Sequence, residues 1–157
     1  MKPHNQNPNL PEVHEKSCGV ILYNTCNTGE TSATERLYLL LHYPGGHWDY
    51  PKGHVEEKDD DEIQTASREL REETGITDVN FKQDFRTSMY YEFNRGKKER
   101  VKKTVIYFLA ETSCSEVEIS FEHKNFQWLP YKEALQKLTF QNAKDLLIEA
   151  EQFLNSR

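Results

Sequence analysis

No run of apolar residues in this 157-residue chain approaches the length needed to cross a bilayer. The N-terminal stretch MKPHNQNPNLPEVHEK lacks the apolar core of a secretory signal, so a cytoplasmic location is expected. Cysteine is scarce: Cys18, Cys26 and Cys114 are widely spaced, odd in number and without a CxxC pair. That pattern suits reduced thiols and indicates neither a disulfide frame nor a zinc site. Excess positive charge is missing as well. A net charge of −6 argues against a general nucleic-acid coat, although a local basic site remains open.

What is present is enough chain for one domain with one substantial core, 36% hydrophobic and 29% charged. Residues 1–14 are polar, carry Pro3 and Pro11, and read as a flexible arm ahead of a domain over 15–157. Strand-like runs fall at 18–23 and 37–42, with a polar loop between them. Residues 43–54, rich in glycine and proline, read as irregular or very short strand. Asp59, Asp60 and Asp61 mark the start of a helix. Long strands are expected at 80–93 and 100–111, joined through a turn at Asn94-Arg95-Gly96, with short strands at 117–120 and 126–129. Helices are expected at 131–138 and 143–154. Strands mixed with a few helices predict an α/β fold, a sheet covered by helices on its faces.

Within the first helix Glu69, Glu72 and Glu73 stand at i, i+3 and i+4, so their carboxylates share roughly one quadrant of its surface. Ile63 and Leu70 mark a different face, expected to pack on the sheet. Like charges this close repel, and a hard divalent cation would turn the repulsion into binding. For three glutamates alone the simpler reading is a solvated acidic face.

The surrounding residues reverse that judgement. Arg68-Glu69-Leu70-Arg71-Glu72-Glu73-Thr74-Gly75-Ile76 resembles the second half of the Nudix box, and Gly53 resembles its opening glycine, giving a box over 53–76. Gly75 sits where a helix ends best on a residue tolerant of positive φ. One departure exists. Counted forward from Gly53, the position of the box's first glutamate falls on Asp59; counted back from Arg68, it falls on Asp60. His47-Trp48-Asp49-Tyr50-Pro51-Lys52-Gly53-His54-Val55-Glu56 further resembles the asymmetric diadenosine tetraphosphate hydrolases of that family. So do the strand from Lys103 to Glu111 and the Glu122-His123 pair.

The resemblance implies a Nudix fold, a mixed sheet sandwiched between helices, and a pyrophosphohydrolase using Mg²⁺ or Mn²⁺. It implies that Glu69, Glu73, Glu72 and Glu122 hold metal, with Glu72 or Glu122 as general base and Arg68 and Gly53 supporting them. His47, Lys52, His54 and Lys103 would bind phosphate, and Tyr91 and Phe140 would sandwich an adenine. The substrate implied is a dinucleoside polyphosphate, handled by a monomer with no membrane partner. The basic run Arg95 to Lys103 keeps an RNA 5′-pyrophosphohydrolase as a second reading. A non-catalytic nucleotide sensor is the third, and it would have no need of three clustered carboxylates.

Overall fold

Cys18–Tyr23 and Val105–Ala110 are among the chain's unbroken apolar runs, which suits strands buried on both faces. The computed structural model, which describes residues 9–26, 35–113, 116–120, 123 and 125–156, places both at the centre of one sheet. In chain order the elements are β1 (Glu12–Cys26), β2 (Glu35–His42), β3 (Trp48–Asp49), β4 (Lys52–His54) and α1 (Glu62–Thr74). They continue with β5 (Val79–Arg95), β6 (Glu99–Thr112), β7 (Asn125–Pro130), α2 (Tyr131–Lys137) and α3 (Gln141–Asn155). The sheet runs β3-β2-β1-β6-β5, with β4 also pairing β1 and β7 also pairing β2. β1 and β6 are parallel and the other pairings antiparallel, so the sheet is mixed.

Side chains alternate between two cores, as the strand period of two requires. Val20 and Leu22 of β1 and Ile106, Phe108 and Ala110 of β6 pack with Ala66 and Leu70 of α1. Ile21 and Tyr23, with Val105, Tyr107 and Leu109, face Ala134 of α2 and Ala143, Leu146, Leu147 and Ala150 of α3. Helices therefore cover both faces, as expected. Leu70 is only 1% exposed, and its truncation to Ala would cost about 2–5 kcal/mol.

Three expectations need correction. β1 begins at Glu12 and lies parallel to β6 from Glu12↔Arg100 onward, so the last three residues of the expected arm belong to the sheet; residues 1–8 lie outside the described ones. Ile63 is exposed at 43%: the buried face of α1 runs through Thr65, Ala66, Arg68, Leu70, Glu73 and Thr74, most of it polar, which a hydrophobic count cannot register. Residues 117–120 form no strand. Their amides instead cap the end of α1, with Glu118 donating to the Thr74 carbonyl (2.8 Å) and Ser120 to the Glu73 carbonyl (3.0 Å).

α1 has defined ends. Asp61 is extended and its carboxylate accepts from the Gln64 amide at 2.8 Å, a cap that contributes about 1 kcal/mol. Gly75 closes the helix at φ 76°, in the left-handed region. These two ends set which turn of α1 faces β4.

Candidate active site

β4 pairs with β1 through Cys18↔Gly53 and so passes beside α1. A Cβ built on Gly53 would stand 1.9 Å from the Glu69 carboxyl carbon. The glycine is thus required by the approach of Glu69, and any side chain there would displace the carboxylate. Glu69, Glu72, Glu73, Glu56, Lys52 and His54 all line one open cleft of about 790 Å³.

Arg68 holds this arrangement together from beneath. Only 5% exposed, it donates to both Asp59 carboxylate oxygens (Nε and Nη2, each 3.0 Å) and to the His54 carbonyl (2.8 Å). Its Nη1 reaches Glu69 at 2.8 Å and Glu72 at 3.2 Å. The bidentate pairing holds the Asp59 carboxyl far below its ordinary range. Asp60 instead donates its amide to the Gln64 side chain. The structure thus puts Asp59 against the box arginine, with the extra residue absorbed ahead of the helix cap.

The acidic groups are not equivalent. The Glu73 side chain is 10% exposed and accepts from the Lys52 amide at 3.3 Å, with the His123 ring 3.9 Å away. Glu69 is similarly enclosed, and burial pushes its pKa up. Glu72 is half exposed at the mouth of the cleft. Among the described residues no three His, Cys, Asp or Glu side chains form a closed ligand set. Glu122 lies outside the described residues, next to His123, whose Nδ1 is 2.9 Å from the Ser120 hydroxyl. The donor set that is present, crowded carboxylates over a side-chain-free glycine, fits a hard oxygen-seeking cation that keeps part of its water shell.

Cations stand nearby. The Lys52 ammonium is 3.0 Å from Asp49, itself 4% exposed. The Lys103 ammonium is 3.4 Å from His54 Nδ1 and 3.8 Å from Glu15; burial lowers its pKa. Burial likewise lowers that of His54, with Lys103 adding to it. His47 packs its ring on Tyr43 and tilts toward Phe140, with centroids 5.4 Å apart. Tyr91 on β5 and Phe140 at the start of α3 line a second cavity of about 310 Å³, shared with Lys52, Asp49, Met89 and Tyr107. Lys52 belongs to both cavities.

Asp49, Tyr107 and Gly19 escaped the sequence reading. A Cβ on Gly19 would meet a Tyr107 ring carbon at 2.7 Å and the Pro51 carbonyl at 2.8 Å, so this glycine lets β4 close onto β1. Nothing in the local sequence marks such a contact. Asp49 lay within the quoted motif, yet only its burial separates it from a surface carboxylate.

A mixed sheet between helices, with a buried arginine locking carboxylates along the rim of a cleft, is the frame of a phosphate-chain hydrolase. The chain belongs to the NUDIX domain family, whose model matches residues 14–150. It is 37% identical over 147 residues to the asymmetrical bis(5′-nucleosyl)-tetraphosphatase of Mus musculus, covering 90% of this chain and 96% of that one. It is 32% identical over 142 residues to the Caenorhabditis elegans enzyme of the same description, covering 88% and 96%. A crystal structure described as a C. elegans Ap4A hydrolase binary complex superposes with a TM-score of 0.77 at 31% identity, covering 91% of this chain and 99% of that one. Among the described residues no helix is long and apolar enough to cross a membrane.

Proposed function

We propose that this NUDIX hydrolase is Mg²⁺-dependent and cleaves diadenosine tetraphosphate asymmetrically to ATP and AMP. The observation that carries this reading is that Lys52 lines both the carboxylate-rimmed cleft and the cavity flanked by Tyr91 and Phe140. A base between those rings would direct its phosphate chain past Lys52 toward the carboxylates.

Glu69 and Glu73 serve as the main Mg²⁺ or Mn²⁺ ligands, with Glu122 completing the set. When bound, the cation supplies Lewis acidity, acidifying the attacking water and offsetting charge on the phosphoryl oxygens. Glu72 takes the water's proton; its exposure lets it pass that proton to solvent. Arg68 keeps Glu69 and Glu72 in register. Lys52, Lys103, His54 and His47 orient the remaining phosphates, so attack at one phosphorus breaks one bridging P–O bond.

The RNA reading draws on the basic run at the β5–β6 turn, yet most of that run is already neutralised. Arg95 pairs with Glu15 and Glu99, Arg100 with Glu92, and Lys102 with Glu12. Incubating the purified protein with Mg²⁺ and diadenosine tetraphosphate, then with triphosphorylated RNA, tests the assignment. ATP and AMP resolved by anion exchange are expected from the first. Turnover of the RNA alone would overturn it.

A further inference from the structure

The cavity between Tyr91 and Phe140 has apolar walls and a polar floor. Tyr107 lines it, is wholly buried, and its hydroxyl has no hydrogen-bond partner among the described residues. A phenol hydroxyl left unpaired in the interior loses its water without compensation, so its presence calls for a partner. The ring is closely packed: it meets Tyr50 edge-on at 5.4 Å, and a Cβ on Gly19 of β1 would stand only 2.7 Å from it. Asp49 lines the same cavity and is 4% exposed. The Asp49 carboxylate accepts from the Tyr50 amide (2.8 Å) and from the Lys52 ammonium (3.0 Å), with lone pairs to spare on both oxygens.

We propose that Asp49 and Tyr107 read the edge of the base held between Tyr91 and Phe140: the carboxylate accepts from an amino group, and the hydroxyl donates to the adjacent ring nitrogen. This rests on the base-binding reading of that cavity. Stacking alone accepts any base, since every base has a π-face. An acceptor next to a donor is the complement of the 6-amino and N1 groups of adenine. Lys52 couples the two cavities. Its ammonium is held by Asp49 at 3.0 Å, so one contact ties the floor of the base cavity to the carboxylate-rimmed cleft.

The test measures binding of ATP, purine riboside triphosphate and tripolyphosphate, each with Mg²⁺, to the full chain and to its Tyr107→Phe and Tyr91→Ala variants. Removing an unpaired hydroxyl breaks no bond of the free protein, so Tyr107→Phe is expected to unfold at the same temperature or higher. ATP should bind that variant about tenfold more weakly, with tripolyphosphate unchanged. The unaltered protein should prefer ATP to purine riboside triphosphate, which lacks the amino group, by about tenfold. Unchanged ATP binding in Tyr107→Phe, alongside a loss in Tyr91→Ala, would overturn the polar floor while leaving the cavity as a base site. Equal weakening of ATP and tripolyphosphate in Tyr107→Phe would assign the hydroxyl to phosphate and overturn the proposal too. Unchanged ATP binding in Tyr91→Ala would remove the base site itself.

Discussion

The acidic ridge of α1 and the aromatic cavity between β5 and α3 sit on either side of Lys52, and they are built on opposite principles. Arg68 beneath the ridge is 5% exposed and donates to two acidic side chains of α1, to Asp59 and to the β4 backbone. The two rings are open, with Tyr91 at 37% and Phe140 at 48% exposed, and Phe140 starts α3 without a side-chain cap. Positioning for chemistry demands a fixed geometry, whereas stacking tolerates looser walls because its energy falls off gradually with offset. Damage to the ridge should therefore appear in turnover, and damage to the cavity in substrate affinity.

The ridge offers the sharpest way to break that contrast. Glu69→Gln and Glu73→Gln should each lower kcat on the order of 10²–10³-fold with the thermal unfolding midpoint nearly unchanged. Steady-state kinetics beside a melting curve decides this, and near-native turnover in either variant removes that residue from the site. Gly53→Ala comes next. Its methyl would occupy the place of the Glu69 carboxylate, and a displacement near 1 Å should lower kcat by about a hundredfold while KM moves little. A native kcat would mean that Glu69 can move aside without consequence.

For the cavity, Tyr91→Ala and Phe140→Ala should raise KM for the dinucleotide roughly fivefold to a hundredfold, with kcat much less affected. A folded double variant with unchanged KM would end the stacking role. Neutralising Lys97 and Lys98 together should leave hydrolysis of the dinucleotide unaltered.

The smallest effect is one of stability and pH. Glu62 at the start of α1 accepts Arg86 on both oxygens (2.8 and 2.9 Å) and Lys16 at 2.6 Å, and these cations hold its pKa at about 2 against an ordinary 4.5. Because the folded value lies below the unfolded one, the stabilisation is present above pH 4.5 and fades as the pH falls toward 2. Glu62→Gln should cost up to about 1 kcal/mol at pH 7 and nothing near pH 2, since the group is partly exposed and screened. Denaturant titrations at the two pH values measure the difference, and a constant gap would refute the linkage.

How legible each part was in the sequence follows from how local it is. The ridge and the helix that bears it depend on spacings of three and four residues and on a glycine stop, all visible in the chain itself. The strand-like runs at 18–23 and 100–111 were legible as strands, though not that they would lie side by side and parallel. The polar underside of α1 was hidden, because Arg68 and Glu73 are buried by partners from β4, Asp59 and Lys52, which are distant or irregular in sequence. For the same reason Ile63 was misplaced and residues 117–120, which cap a helix, passed for a strand. The floor of the aromatic cavity was illegible: Tyr107 reads as one more core tyrosine until it is seen to line that cavity with its hydroxyl unpaired among the described residues.

The parallel pairing of β1 with β6 bears on how the chain comes to be folded at all. Each contact along that ladder joins residues about as far apart as Tyr23 and Glu111, 88 positions along the chain. On a ribosome, β1 must emerge early and wait unpaired on that side until β6 has cleared the exit tunnel, and its apolar run from Val20 to Leu22 waits with it. Loop closure over such a span is slow compared with forming the β5–β6 hairpin, so the hairpin forms first and serves as the template against which β1 docks. Along this one ladder, the strand synthesised first is thus the strand whose pairing is completed last.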